Sequence, residues 1–355
     1  MTDERKALYW LSSSGITAEK QNKLLEIFGS AIEIHKNVFS DLVKEYVGKP
    51  YAELSAMTEN AIDTELKKLK ADGIRLLLKG YDGYPKQLDQ FEVVPPPVLY
   101  AKGNVELLNK PSICIVGTRK STDYGKKVAT QWSAELCEKF VIVSGHATGI
   151  DTYAVKSCLD NGGSAIIVLA CGFEKFDFPT YLRDVDKERL LFITEYPMHM
   201  RVAKFSYQER NRLLSGLAQA VIVVEAPEKS GALITVDRAV QQNRQVFVVP
   251  GSVFSDRSKG TNKLIRDGAT IATCATDVFE DLNVIVEKKI TEKFIPKLST
   301  EERAVYDFLV KGTRHFDEIV TALNLSPMET SAILSLMEIE GIIEKKPQNY
   351  FALSI

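Results

Sequence analysis

Between residues 110 and 282, short continuous apolar runs alternate with stretches whose apolar positions recur every three or four residues. The runs at 113–116, 141–144, 165–169, 191–194, 220–224 and 245–249 read as strands buried on both faces. The stretches between them, including 125–139, 151–161 and 235–242, read as amphipathic helices. Apolar strands joined by helical crossovers predict a parallel sheet covered on both sides, an α/β, Rossmann-like domain. Ligands of such sheets bind beyond the carboxyl ends of the strands.

The flanking segments have other periods. In residues 1–75, Leu8, Leu11, Ile16, Leu24, Leu25, Ile27 and Phe28 follow a helical spacing broken at Gly15 and Gly29. This predicts a small all-helical domain of the SAM or helix-hairpin-helix type. Residues 76–109 carry turn and extended signals around Pro85 and Pro95 to Pro97, and read as a connector. Residues 283–297 read as a linker. Residues 298–355 predict three helices and a hairpin, a winged helix, the first helix opened by a capping box from Ser299 to Glu302.

Composition narrows the function classes. The 355 residues carry a formal net charge of -2, so any nucleic-acid contact must rest on a local patch. The five cysteines are dispersed without a CxxC pair and the four histidines lack ligand spacing, so neither a metal nor a cofactor is expected. The first residues lack a signal-peptide pattern and no apolar run approaches the ~20 residues of a membrane span. A cytoplasmic protein without membrane contact is expected.

The candidate chemistry falls at strand ends. Gly117, Thr118 and Arg119 follow the first strand; a glycine lets an anion approach the backbone, a helix start offers free amides, and Arg119 adds a planar fork. Ser144 and Gly145 open a second such loop, where Asp151 is placed to cap the next helix. Lys175 and Phe178 put a cation near an aromatic ring, the pairing that holds single strands without sequence readout. Arg210, Asn211 and Arg212 form a donor block, with Arg212 expected to be partly structural through Glu195 or Glu225. Ser230 and Gly231 make a third phosphate-type turn, and Lys263 lies near the same edge. Several such loops on one rim favour a long anionic ligand. Neither a nucleophile–base pair nor a Walker signature accompanies them, which favours binding over turnover.

Taken in order, Gly117-Thr118-Arg119, Ser144 to Asp151, Arg210-Asn211-Arg212, Glu225-Ala226, Ser230 to Thr235 and Pro250-Gly251 closely resemble the DNA-processing protein A family (DprA, also called Smf). The resemblance covers about residues 80 to 282. It implies an extended Rossmann fold that binds single-stranded DNA, loads the RecA recombinase onto incoming DNA in natural transformation, and forms a homodimer. Four features depart from the family pattern. His146 and Thr148 stand where leucine and arginine are expected, Val155 replaces a histidine, and 178–182 lacks the usual Tyr-Pro-x-x-Asn string.

Two rival readings have distinct signatures. A nucleotide-processing enzyme of the phosphoribohydrolase type would carry a Pro-Gly-Gly-x-Gly-Thr loop, and the chain has no such string. A duplex-binding regulator would use the winged helix, but residues 298–355 hold nine acidic side chains against five basic ones. Glu329 stands near the start of its recognition helix, where base contacts call for arginine, lysine or asparagine. The winged helix is therefore expected to contact protein rather than a major groove.

Overall fold

Every strand expected in the central region forms, within a residue or so of its expected bounds, and the sheet they build is wider than the pattern implied. The computed structural model describes residues 1–89, 94–285, 298–310 and 312–353. The expected linker therefore lies outside the described residues from 286 onward. The chain divides into two compact units, Met1–Ile285 and Val286–Ile355.

The first unit opens with six helices, α1 (Glu4–Ser13), α2 (Ala18–Phe28), α3 (Ala31–Lys36), α4 (Asp41–Val47), α5 (Tyr51–Ala56) and α6 (Glu59–Ala71). Gly29 closes α2 in the left-handed region at φ 78°, where a Cβ would be strained. Then come β1 (Ile74–Leu78) and β2 (Val98–Gly103). The helices share a core with both strands: Leu8, Leu11 and Trp10 pack with Ile74, Leu78, Val98 and Tyr100. Ser12 and Tyr100 join their hydroxyls at 2.8 Å inside it.

The central region follows as β3 (Ser112–Val116), α7 (Asp123–Leu136), β4 (Val141–Ser144), α8 (Ile150–Asp160), β5 (Ala165–Val168), β6 (Leu190–Thr194), α9 (Lys204–Leu217), β7 (Ala220–Val223), α10 (Gly231–Gln241), β8 (Gln245–Val248), α11 (Lys259–Arg266), β9 (Thr270–Ile271) and α12 (Ala275–Asp281). The nine strands lie in the order β1-β2-β6-β5-β4-β3-β7-β8-β9. From β6 to β9 all pairs are parallel, whereas β2 runs antiparallel to β6 and β1 antiparallel to β2. The expected connector thus supplies two edge strands, paired Tyr100 to Thr194 and Leu77 to Leu99. Burying each central Val or Ile contributes about 1.5–3 kcal/mol, which is why the runs tolerate almost no polar residue.

Chain order reverses at β3. Strands β4, β5 and β6 step away on one side, and β7, β8 and β9 on the other. The helices that follow β3 and β7 run to opposite sides there, opening the crevice that parallel sheets use for ligands.

The second unit holds α13 (Thr300–Leu309), β10 (Arg314–His315), α14 (Phe316–Leu323), α15 (Pro327–Ile339), β11 (Ile343–Lys346) and β12 (Tyr350–Leu353). The three strands form one small antiparallel sheet, giving the expected winged helix with its own core of Val305, Leu309, Ile319, Leu334, Met337, Ile343 and Phe351. Among the described residues no helix is long and apolar enough to cross a membrane.

Candidate nucleic-acid interface

A cleft of about 330 Å³ opens at the β3 reversal. Its walls are the loops after β3 (Gly117, Thr118, Arg119) and β4 (Ala147), the first turn of α8 (Asp151), one face of α9 (Tyr207, Arg210, Asn211), and the entry to α10 (Lys229, Ser230, Gly231).

The frame of this cleft is built from close backbone packing. Thr118 N–H donates to Glu225 O at 2.7 Å, joining the β3 and β7 loops. Glu225 is buried and its carboxylate accepts from Thr122 N at 2.9 Å and Thr122 Oγ1 at 2.6 Å, which holds the start of α7. A Cβ at Gly117 would lie 2.6 Å from Ile150 Cγ1 and 2.9 Å from Glu225 O, so only glycine fits. Gly149 holds φ 91°, and its missing Cβ is what lets the β4 loop lie against Thr118 and Arg119.

Two exposed cations and one helix start face the opening. The Arg119 guanidinium lies over the Tyr207 ring at 4.6 Å and has no ion-pair partner among the described residues. Lys229 is likewise exposed, one residue before the Ser230 cap of α10. Ser230 Oγ accepts from Ala232 N at 3.3 Å, and no atom lies within 4 Å of a Cβ built on Gly231. An anion can therefore approach the first amides of α10, where the helix dipole favours negative charge.

The floor is charged and buried. Arg210, 3% exposed, donates from Nη1 to Gly145 O at 2.8 Å and to Val168 O, and from Nε to Asn211 Oδ1 at 3.3 Å. Burial lowers its pKa from the ordinary value, against the pull of Asp151. Asp151 is buried as well, and burial pushes its carboxyl up to about 6 although Arg210 draws it down. It does not cap α8 as expected. Gly149 is the N-cap residue, without a side-chain bond, and Asp151 Oδ2 accepts from Ala147 N at 3.4 Å to fix the preceding loop.

Of the expected site residues, Gly117, Thr118, Arg119, Arg210, Asn211, Ser230 and Gly231 line this cleft. Four others have different surroundings. Ser144 is fully buried and its Oγ donates to Ile115 O at 2.8 Å, because the strand turns that position inward; it is structural. Gly145 lies beneath Arg210, where a Cβ would stand 2.6 Å from Nη2. Arg212 forms a buried bidentate pair with Glu195, Nη1 to Oε1 at 2.6 Å and Nη2 to Oε2 at 2.7 Å, and donates from Nε to Val94 O at 3.0 Å. Burial works to lower its pKa and Glu195 more than offsets this, so Arg212 is held raised and is wholly structural. Lys263 is exposed on α11 and outside the cleft lining.

Lys175 and Phe178 sit on the β5 loop, also outside the cleft lining but on the same carboxyl edge. Phe178 is 45% exposed, with its ring 5.3 Å from Phe192 and 6.0 Å from Phe176. His146, with φ 54°, ties the β4 and β5 loops: its ring meets Phe176 at 5.5 Å and its Nδ1 meets Tyr181 OH at 3.1 Å. Burial, followed by the charge of Arg210, lowers the His146 pKa, so it stands neutral at pH 7. From the β7 loop to the β5 loop the rim crosses three strand spacings, about 14 Å.

Sequence reasoning passed over Tyr207 and Lys229. The signals were present: Tyr207 stands three residues before Arg210, one helical turn away, and Lys229 directly precedes the Ser230 turn. Among the described residues no group of His, Cys, Asp or Glu could hold a metal ion.

Comparison with known proteins gives this geometry a context. The family model described as "DNA recombination-mediator protein A" matches residues 75–283, and the "DprA winged helix domain" matches 292–349. The DNA processing protein DprA of Bacillus subtilis is 43% identical over 193 residues, 53% of this chain and 65% of that protein. Its counterpart in Streptococcus pneumoniae is 39% identical over 204 residues, 56% of this chain and 71% of that protein. The match thus spans just under two thirds of the Bacillus relative. The solved structure of the Streptococcus pneumoniae protein superposes with TM-score 0.66 at 31% identity, covering 79% of this chain and 99% of that one. DNA processing protein A from Helicobacter pylori, described for its single-stranded DNA binding mode, superposes with TM-score 0.52 at 30% identity over 59% of this chain and 95% of that one. The chain belongs to the DprA/Smf family.

Proposed function

We propose that this chain binds single-stranded DNA along the rim running from the β7 loop to the β5 loop, and that it processes incoming DNA in natural transformation. The observation that carries this reading is the convergence of exposed Arg119, exposed Lys229 and the open start of α10 on one cleft at the β3 reversal. Phosphates would meet these groups, and Tyr207 holds Arg119 in place for them. Farther along the rim, Lys175 and half-exposed Phe178 offer one further phosphate contact and one stacking face. Such contacts hold a backbone without reading its sequence. Lys263 flanks the rim from α11.

Binding without turnover is part of the reading. The buried carboxylates beside the cleft are committed: Glu225 accepts from Thr122, and Asp151 from Ala147. Family membership supports the remaining parts, a cytoplasmic homodimer that loads RecA recombinase onto the bound strand.

The reading is tested by titrating oligothymidine and a duplex of equal length into the protein across a salt series. Tighter, salt-sensitive single-strand binding is expected. Crystals with oligothymidine lodged elsewhere and the rim empty would overturn it. Recombinase loading is tested by RecA filament growth on protein-coated single strands, and the homodimer by sedimentation.

A further inference from the structure

Outside the cleft, two thiols meet between α7 and α8, the helices that follow the β3 and β4 loops. Cys137 is half-buried at the carboxyl end of α7, and Cys158 is fully buried in the last turns of α8. Gly163 keeps the space between them. A Cβ built there would stand 2.8 Å from Cys137 Sγ and 2.7 Å from Cys158 Sγ, so both sulfurs flank a single point. Gly163 is outside the left-handed region, and its lack of a side chain serves room for the sulfurs rather than backbone conformation. Each thiol donates to a backbone carbonyl, Cys137 to Ala134 O and Cys158 to Ser164 O, both at 3.2 Å, so neither is tied up by the other.

The two sulfurs are chemically unequal. The neighbouring Cys158 sulfur outweighs burial and holds the Cys137 thiol below its usual value. Cys137 beside it, with burial, pushes the Cys158 thiol up. A more accessible sulfur with more thiolate character beside a buried partner is the arrangement of an attacking and a resolving cysteine. Cys114 and Cys171 are buried, and Cys274 is exposed at the start of α12.

We propose that Cys137 and Cys158 form a reversible disulfide, joining α7 to α8, when the protein meets a low-molecular-weight disulfide. The Cys137 thiolate attacks one sulfur of the small disulfide, and the other sulfur leaves as a thiolate. The Cys158 sulfur then attacks Cys137 Sγ in the mixed disulfide and expels the second small thiolate. Two protein thiols lose two electrons and two protons. The small disulfide takes up both electrons, and its leaving thiolates take up the protons. In a reducing compartment such a bond serves as a sensor rather than a permanent staple. Closing a loop across the two helices raises the resistance of the first unit to unfolding.

The test uses the full chain carrying Cys274→Ser, exposed to glutathione disulfide and mapped by mass spectrometry without reduction. The expected product is a crosslinked peptide joining Cys137 to Cys158, no lasting glutathione adduct, and a melting temperature several degrees higher, all reversed by dithiothreitol. In Cys158→Ala the reaction stops as a glutathione adduct on Cys137, and in Cys137→Ser position 158 stays unmodified. Glutathione accumulating on Cys137 with Cys158 free, or both thiols remaining free at full oxidation of a small dithiol control, overturns the proposal. Mapping of the parent chain decides the matter even if a variant fails to fold.

Discussion

Replacing Arg119 by alanine isolates the cleft's electrostatic contribution from its architecture. The side chain is exposed, rests on Tyr207 at 4.6 Å and has no ion-pair partner among the described residues. Its removal leaves no buried group unsatisfied. The bonds that frame the cleft, Thr118 N to Glu225 O and Thr122 to Glu225, do not involve it. The fold should therefore be unchanged, and the loss on DNA should be the loss of one phosphate contact. Its size lies between an exposed pair and a charge-assisted bond in a cleft, about 1–2 kcal/mol. That is a weakening of about 5- to 30-fold. The salt dependence gives a second measure, since each phosphate contact adds about 0.7 to the slope of log K against log salt for single strands. Fluorescence anisotropy with labelled single strands of several sequences, at several salt concentrations, reads both. Arg119→Ala should lower the slope by about 0.7 for each cleft engaged, equally for all sequences. Wild-type affinity and slope in a variant with an unchanged circular dichroism spectrum would refute the reasoning.

Three further outcomes follow from the same geometry. Lys229→Ala should reduce affinity and slope in the same direction, and the double variant with Arg119→Ala should reduce the slope by about 1.4, read in the same titration. Arg212→Ala strands the buried Glu195 carboxylate and should cost about 3–5 kcal/mol of stability, measured by urea unfolding, where a cost under about 1 kcal/mol would contradict the pair's structural role. Because burial raises the Asp151 carboxyl to about 6 in the fold, the group stays protonated there when the unfolded chain has already ionised, so its stabilising effect is fully present at acid pH and is lost as pH rises through about 6. The ionised form also places a negative charge at the phosphate site, so oligothymidine affinity should fall between pH 5.5 and 7.5 in the parent and change less in Asp151→Asn; an identical pH dependence in both would remove Asp151 from the account.

The winged helix gives one more outcome. Glu329 on α15 accepts from Ser326 N at 2.9 Å and Ser326 Oγ at 2.6 Å, completing the capping box in which Ser326 is the N-cap. The exposed face of α15 then presents Met328 and Ile339, each 83% exposed, and half-exposed Leu336. Residues 298–355, expressed alone, should bind duplex DNA far more weakly than the full chain binds single strands, as judged by gel shift.

What the sequence determined by itself was local. Continuous apolar runs announce strands wherever they fall, since no other element hides both faces of so short a segment. Ser230 announces a helix start because its hydroxyl reaches a backbone amide two residues ahead. The rim was legible for the same reason, as glycine and hydroxyl residues gather where strands turn into helices. Tertiary structure decided what depends on distant partners. It turned Ser144 and Arg212 inward, because Ile115 and Glu195 take up their donors, and brought Tyr207 and Lys229 to the opening. It enrolled 74–78 and 98–103 in the sheet, because an antiparallel edge exists only once β6 offers its open backbone. It also set Cys137 against Cys158 across two helices. Periodicity reports which side of an element is buried, while the identity of what it is buried against is fixed only when the strands take their order.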